Sequence, residues 1–425
     1  MSPLMIWPMR AVSVVRAGLV TGGLLALVGC HPVLVNVAEP GHGVIGTGVS
    51  GDLPDLSDDG NVVSFVTSDY LTAEDHQGTW DTYVRDLRRR DTALMSVTPD
   101  GDQDGCGVTN PAISGDGRYV AWSACSGYPN TPPPPGTVGT NVFVKDRVTG
   151  ELEQIGIPEH LQMPGGGWGF LDKDGSHIVI WCFPTSAEVP VSVCLQDRRT
   201  GDTTVVARRT DGQIVQAFVT PASISDDGRL VAFIAPFADV VPGSSDTRQQ
   251  LFVRDVAAGV TTPVTIDPSV LSGDLGGLIS GDGTAAVVWQ TAPPYHIVHK
   301  DLVTGAVHRV DQAQCRNVAP SPTYALAAIS DDGDVVAFQS GSEALVPDDT
   351  NGHDDVFVWR AKVPCVLQRV SLGPGLREGD GHSYWPAVSG DGSTIAFVSE
   401  ATNMVRDDTN GAPDAFVVTL APGLP

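Results

Sequence analysis

Two acidic loops of the chain have the composition of a calcium-binding turn. In Asp348-Asp349-Thr350-Asn351-Gly352-His353-Asp354-Asp355 and in Asp407-Asp408-Thr409-Asn410-Gly411-Ala412-Pro413-Asp414, carboxylate and amide oxygens surround an Asn-Gly step. Hard oxygen ligands on a sharply turning backbone suit Ca²⁺. This singles out Asp349, Asn351 and Asp355 in the first loop, and Asp408, Asn410 and Asp414 in the second. Neither loop has the twelve-residue spacing or the terminal bidentate Glu of an EF-hand. An Asx-turn, in which Asp and Asn bond their own backbone, accounts for the same residues. A weaker copy runs from Glu74 to Asp81, and the stretch GSSDTRQQ at 243–250 has largely lost the pattern.

Other reactive groups are sparse. His296 and His299 are three apart on an expected strand, so they point to opposite faces and do not share a metal. There is no HExxH and no GxSxG nucleophile elbow. No catalytic residue is therefore assigned. The charge is formally −25, from 50 acidic against 25 basic residues. A field of that sign repels nucleic acid and anionic lipid, and attracts cations or basic partners.

The loops belong to a repeat. Asp-Gly pairs recur at 59–60, 116–117, 174–175, 227–228, 282–283, 332–333 and 391–392, at intervals of 50 to 59 residues. A period of that length means stacked supersecondary units. Each unit begins with a short word such as PAIS, PASIS or PAVS, which enters the Asp-Gly turn, a step that tolerates the positive φ of a tight hairpin. A strand apolar on both faces follows (NVVSFVT, RYVAWSA, DVVAFQS), as suits a strand covered on both sides. A variable loop leads to a third strand (TYVRD, NVFVKD, DVFVWR), and a turn such as VTG leads to a fourth. Four antiparallel strands repeated seven times predict an all-β, seven-bladed β-propeller. The last unit stops after its third strand, so Val33–Ala38 is expected to supply the fourth and close the ring.

The unit S-x-D-G-x-x-(V/I)-A-F, followed by D-x-F-V-x-D-x-x-T-G, resembles the TolB-type, WD40-like propeller repeat of bacterial envelope proteins over residues 33 to 420. The WD40 family proper has a shorter period and Gly-His and Trp-Asp signatures that are missing here. TolB itself resembles six blades behind an N-terminal domain, for which this chain has no room, so its partners are not carried over. Asp86, Asp146, Asp197, Asp255 and Asp301 end the third strand in five units and are expected to cap the turn that follows; Arg360 and Thr419 replace them in the last two. Asp55 is the main carboxylate in the words entering the Asp-Gly turns. Trp168 lies near the axis-facing strand of the third unit, and TPPPPGTVG at 131–139 reads as a stiff surface insertion.

The first residues read differently. Arg10 and Arg16 precede the apolar run LVTGGLLALVG, which ends at Cys30. That order is a secretory signal, and Leu27-Val28-Gly29-Cys30 resembles the bacterial lipobox. The resemblance implies a lipoprotein signal peptide at 1–29, lipidation of Cys30, and a tether of roughly 10 Å at 30–32 before the propeller at 33–425. An exported, membrane-anchored protein on the cell surface or on the outer-membrane or periplasmic face is expected. Six cysteines then remain for an oxidising compartment. Cys182 with Cys194, and Cys106 with Cys125, fit the strand topology; Cys315 and Cys365 are what remains, nominally on opposite faces of the ring.

The functional expectation is a monomeric, non-enzymatic binding scaffold for an envelope or extracellular protein or ligand, with no cofactor beyond the candidate Ca²⁺. The alternative is a carbohydrate-active or lactonase-like propeller enzyme working in the axial pocket.

Overall fold

A computed structural model of the chain describes residues 32–35 and 54–421, apart from 104, 106, 125–132, 136, 162–168, 184–190, 268, 272, 313–325, 407 and 409. Seven four-stranded antiparallel sheets form the seven blades of a β-propeller. Blades 1 to 6 span 55–94, 108–157, 169–205, 220–263, 275–309 and 327–369, each as a meander in chain order. Blade 7 takes three strands from 383–419 and its outermost strand from the other end of the chain. Val33 and Leu34 pair antiparallel with Val417 and Phe416, and the Val35 N–H donates to the Ala415 carbonyl at 2.8 Å. The expected closure by an N-terminal strand is thus present over Val33–Val35, and Asn36–Ala38 lie outside the described residues.

The second strand of each blade is its buried spine, as in Val62–Thr67, Val335–Ser340 and Thr394–Ser399, where every residue is buried. The repeated aromatic of this strand, Phe in four blades and Trp in blade 2, stacks on an aromatic of the third. Phe65 meets Tyr83, Trp122 meets Phe143, Phe233 meets Phe252, Phe338 meets Phe357 and Phe397 meets Phe416, with centroids 5.6–6.4 Å apart. Such pairs each add about 0.5–1.5 kcal/mol beyond burial. Blade 3 has Ile180 opposite Cys194 at this place, and there a Cys182–Cys194 disulfide bridges the two strands, with Cα atoms 5.8 Å apart. Cys365 is also disulfide-bonded. Cys30, Cys106, Cys125, Cys315, Trp168 and the signal at 1–29 lie outside the described residues. The 131–139 insertion leads into a long third strand, Val138–Asp146, which is irregular between Gly139 and Phe143.

The repeated S-x-D-G word is a hydrogen-bonded turn. In six blades the Ser hydroxyl donates to the Asp carboxylate at 2.6–2.9 Å. The same hydroxyl accepts the first N–H of the second strand at 2.9–3.1 Å. The Gly has φ between +63° and +72° in all seven blades, a conformation that strains other residues. It also packs on the neighbouring blade: a Cβ on Gly60 would lie 2.3 Å from the Thr394 hydroxyl.

These turns link the blades into a hoop. Seven backbone hydrogen bonds of 2.8–3.3 Å run round the axis: Asp58 to Gly115, Asp116 to Lys173, Lys173 to Asp226, Asp226 to Gly281, Asp282 to Asp331, Asp331 to Gly390, and Asp391 back to Asp58. In each pair the first residue donates its N–H to the second residue's carbonyl.

Candidate functional site: an axial cavity with a charged floor

The residue just before each Asp-Gly meets its counterparts from other blades near the axis, and its identity changes from blade to blade. Round the ring it reads Asp58, Gly115, Lys173, Asp226, Gly281, Asp331, Gly390. Lys173 reaches toward all three acids, with Nζ 2.5 Å from Asp58, 3.3 Å from Asp226 and 3.6 Å from Asp331. The glycines make room for these side chains. A Cβ on Gly281 would lie 2.0 Å from Asp226 Oδ1 and 2.7 Å from Asp331 Oδ1, and one on Gly390 would lie 2.1 Å from Asp331 Oδ2. Four charged residues and three spacers therefore floor one end of the axis.

Burial and mutual repulsion act on this floor. Partial burial first, then the neighbouring Asp58 and Asp226, raise the Asp331 carboxyl to about 7, against the attraction of Lys173. Burial likewise raises Asp58, opposed by Lys173, and Asp58 first, then Asp226, hold the Lys173 ammonium above its ordinary range against its partial burial. Among the described residues, Asp58, Asp226 and Asp331 are the only cluster of three or more potential metal ligands, and Lys173 already supplies a cation there.

Above the floor lies a cavity of about 860 Å³. The residue two places before each floor residue lines it: Leu56, Ile113, Leu171, Ile224, Ile279, Ile329 and Val388. Trp289 and Trp385 add aromatic surface, and Asp274, Asn110 and Thr291 add polar groups. Trp289 packs over Gly276, where a Cβ would lie 2.4 Å from its indole nitrogen. Trp385 has φ +55° at an irregularity before Pro386, and its N–H donates to Gln339 Oε1 of blade 6 at 3.0 Å.

Asp55 also lines the cavity, where burial pushes its carboxyl up to about 6. Its two oxygens accept the N–H groups of Leu56 and of Ile113, both at 2.9 Å, the latter across the blade 1–2 boundary. Ser223 makes the equivalent contact with the Ile279 N–H between blades 4 and 5, at 2.8 Å. Asp55 therefore acts as a latch between blades. A serine, a histidine and an aspartate meet in blade 3, where Asp172 replaces the usual turn Ser. His177 Nδ1 lies 2.6 Å from Asp172 Oδ2 and 2.9 Å from Ser176 Oγ. Both partners approach the same ring nitrogen, whereas a nucleophile and an orienting acid need opposite ones. The trio is a variant of the repeated turn.

The acidic loops have local causes. Asn351 Oδ1 accepts the His353 N–H and Asn410 Oδ1 accepts the Ala412 N–H, both at 3.0 Å, so both form the Asx-turn. Asn351 and Asn410 each donate to the Asp that starts the third strand, Asp355 at 3.2 Å and Asp414 at 3.0 Å. In blade 6 a guanidinium occupies the middle of the candidate ligand set. Arg369, 5% exposed in its side chain, pairs with Asp349 at 3.0 Å, Asp355 at 3.2 Å and Glu378 at 2.9 Å. In blade 7 the residue in register with Arg369 is Leu34, which brings no charge to Asp408 and Asp414. In blade 1, Gln103 takes the donor role, bonding Asp75 at 3.1 Å and Asp81 at 3.3 Å.

The Asp residues that end the third strands accept backbone N–H groups of the following turn, as expected. Asp146 takes Val148 and Thr149, Asp197 takes Arg199 and Thr200, and Asp301 takes Val303 and Thr304. The residue before this Asp joins blades: Lys145 donates to the Val97 carbonyl and Gln196 to that of Gly156. His296 binds Asp311 at 2.9 Å, while His299 Nε2 donates to the Gly333 carbonyl in the next blade at 3.0 Å, so the two histidines serve separate places.

Fold and site together define a seven-bladed β-propeller with a floored axial cavity. No protein-family model matches the chain, and no curated protein matches it. Among solved structures, a prolyl endopeptidase aligns at 16% identity over 89% of this chain and 50% of that one, with a TM-score of 0.51. TolB from Acinetobacter baumannii aligns at 13% identity over 78% and 67%, with a TM-score of 0.45. Pyrococcus horikoshii acylaminoacyl peptidase aligns at 12% identity over 83% and 49%, with a TM-score of 0.48. This chain spans about half the length of the two peptidases it matches. The likeness is one of fold, and TolB structures stand among the neighbours. Among the described residues no helix is long and apolar enough to cross a membrane.

Proposed function

We propose that the protein is a lipid-anchored protein of the bacterial cell envelope that uses the propeller as a non-enzymatic binding scaffold. Cys30 carries the anchor, and the axial cavity and the loops around it receive an envelope or extracellular ligand. The observation that supports binding over chemistry is the state of the axial polar groups. Asp55 is engaged by two backbone N–H groups, and Asp58, Asp226 and Asp331 share Lys173. What the site offers is shape, apolar surface and charge. The anchor is tested by mass spectrometry of the mature N-terminus, which should carry acyl chains on Cys30 and lose membrane association in Cys30→Ala. The scaffold role is tested by cross-linking from the cavity rim in intact envelopes, with Thr291 replaced by a photoreactive residue; a partner should be trapped by this variant and lost when Trp289 is also replaced by Ala.

A second reading, a carbohydrate-active or lactonase-like enzyme in the same cavity, draws on one observation. Asp331, held at about 7, has the pKa of a general acid near neutral pH. Turnover of a glycoside or lactone panel that is abolished in Asp331→Asn would favour it over the scaffold.

A further inference from the structure

The cavity has two chemically distinct parts. Its wall carries an apolar side chain from every blade, from Leu56 and Ile113 round to Val388, with Trp289 and Trp385 beside them and Asp55, Asn110, Asp274 and Thr291 among them. Its floor carries three carboxylates against one ammonium, so it is left with net negative charge. Lys173 does not balance it evenly: its Nζ is closest to Asp58 at 2.5 Å and farthest from Asp331 at 3.6 Å. Glycines flank Asp331 on both sides, at 281 and 390, so no side chain shields it from its neighbours in the ring. The volume, about 860 Å³, is within the range of roughly 300–1,000 Å³ in which small-molecule sites fall. The Trp289 indole N–H, buried beside Gly276, has no acceptor among the described residues.

We propose that the axial cavity binds a small organic cation, an amine or guanidinium carried on an apolar body, with the cationic head on Asp331 and Asp226 and the body against the seven-blade apolar wall. The inference rests on reading the axial cavity as a binding site, and it names the class of ligand. An anion of the same shape would meet the carboxylates, and a neutral analogue would leave the head-group position to water. A ligand without an apolar body would gain only the floor, where it competes with Lys173.

The test uses three probes of matched size, 4-phenylbutylamine, 4-phenylbutanol and 4-phenylbutyrate, titrated into the full mature chain near pH 8. Binding is followed by calorimetry and by the fluorescence of the tryptophans, two of which line the cavity. The amine should bind at least tenfold more tightly than the alcohol, and the carboxylate should not bind. Asp331→Asn should weaken the amine at least tenfold and leave the alcohol unchanged, with the melting curve confirming that the variant is folded. Ala328→Phe, which fills the wall, should weaken amine and alcohol alike. Equal affinity for all three probes, no amine binding at millimolar concentration, or amine binding that survives Asp331→Asn would overturn the proposal. None of these outcomes touches the rim cross-linking experiment, so the scaffold reading stands or falls separately.

Discussion

Lys173 of blade 3 and Asp58 of blade 1 meet at the axis with 2.5 Å between ammonium and carboxylate. No local turn brings them together; only the closed ring does. The same lysine is shared with Asp226 and Asp331, and that sharing leaves a pH signature.

Asp331 has a carboxyl raised from 3.8 to about 7, chiefly by burial and then by Asp58 and Asp226. Between those two values the unfolded chain is ionised while the folded one holds its proton. Stability therefore falls as pH rises through this window. Asp331→Asn lacks the titration, so its melting temperature should match wild type near pH 4 and exceed it near pH 8, by roughly 2 °C. A difference that stays flat with pH would refute the assignment. Lys173→Met should show the reverse, losing more stability at pH 8 than at pH 4.

Arg369 is buried among Asp349, Asp355 and Glu378. Replacing it by Met leaves these acids without their cation, which should cost about 3–5 kcal/mol in urea unfolding. Calcium at this loop would have to displace the guanidinium. Wild type should therefore show no calcium-dependent rise in melting that Asp349→Asn abolishes. Such a rise, if measured, would mean that the arginine yields to the metal. The blade 7 loop, with Leu34 in register where blade 6 has Arg369, is the place to look for any calcium effect, through Asp408→Asn.

The Cys182–Cys194 disulfide closes a short loop, the two residues being 12 apart in sequence. By chain entropy its removal in Cys182→Ala/Cys194→Ala should cost roughly 2–3 kcal/mol. Unfolding midpoints in urea for the double variant and wild type measure it directly. An unchanged midpoint would show that packing alone holds blade 3.

Val35 donates the last described bond of the closing strand, to the Ala415 carbonyl. Val35→Pro removes that donor and should destabilise the ring by about 3 kcal/mol. Amide exchange should quicken in Asp414–Thr419 and much less in blade 4. Uniform exchange in both would argue that closure is not held at this strand.

Much of this architecture was written in the sequence because each blade must solve the same problem. The Ser and Asp-Gly of each turn, the Phe on the second strand and the aromatic opposite it act within about thirty residues of one another, so their spacing is visible along the chain. The closing strand was legible as well, since Val33-Leu34-Val35-Asn36-Val37-Ala38 has the apolar, β-branched character of a strand. The floor was not. Asp58, Lys173, Asp226 and Asp331 each look like filler in a solvated turn, and they become neighbours only when seven blades close. The alternation of charged and glycine positions was the available signal, had the turns been stacked and read by column. Arg369 was hidden for a related reason: the loop reads as oxygen-rich by itself, and its cation arrives from a strand some twenty residues later. Asp55 drew attention as a lone acid, but its partner is a backbone N–H of the next blade, which no side-chain pattern records.

Val33 pairs with Val417, so the clasp joins opposite ends of the polypeptide. During synthesis the first of these residues leaves the ribosome long before the second exists. Blades can form one after another in the meantime, but the circle cannot lock until the final strand emerges. Until then the newborn chain carries two raw sheet margins, each able to recruit a stranger.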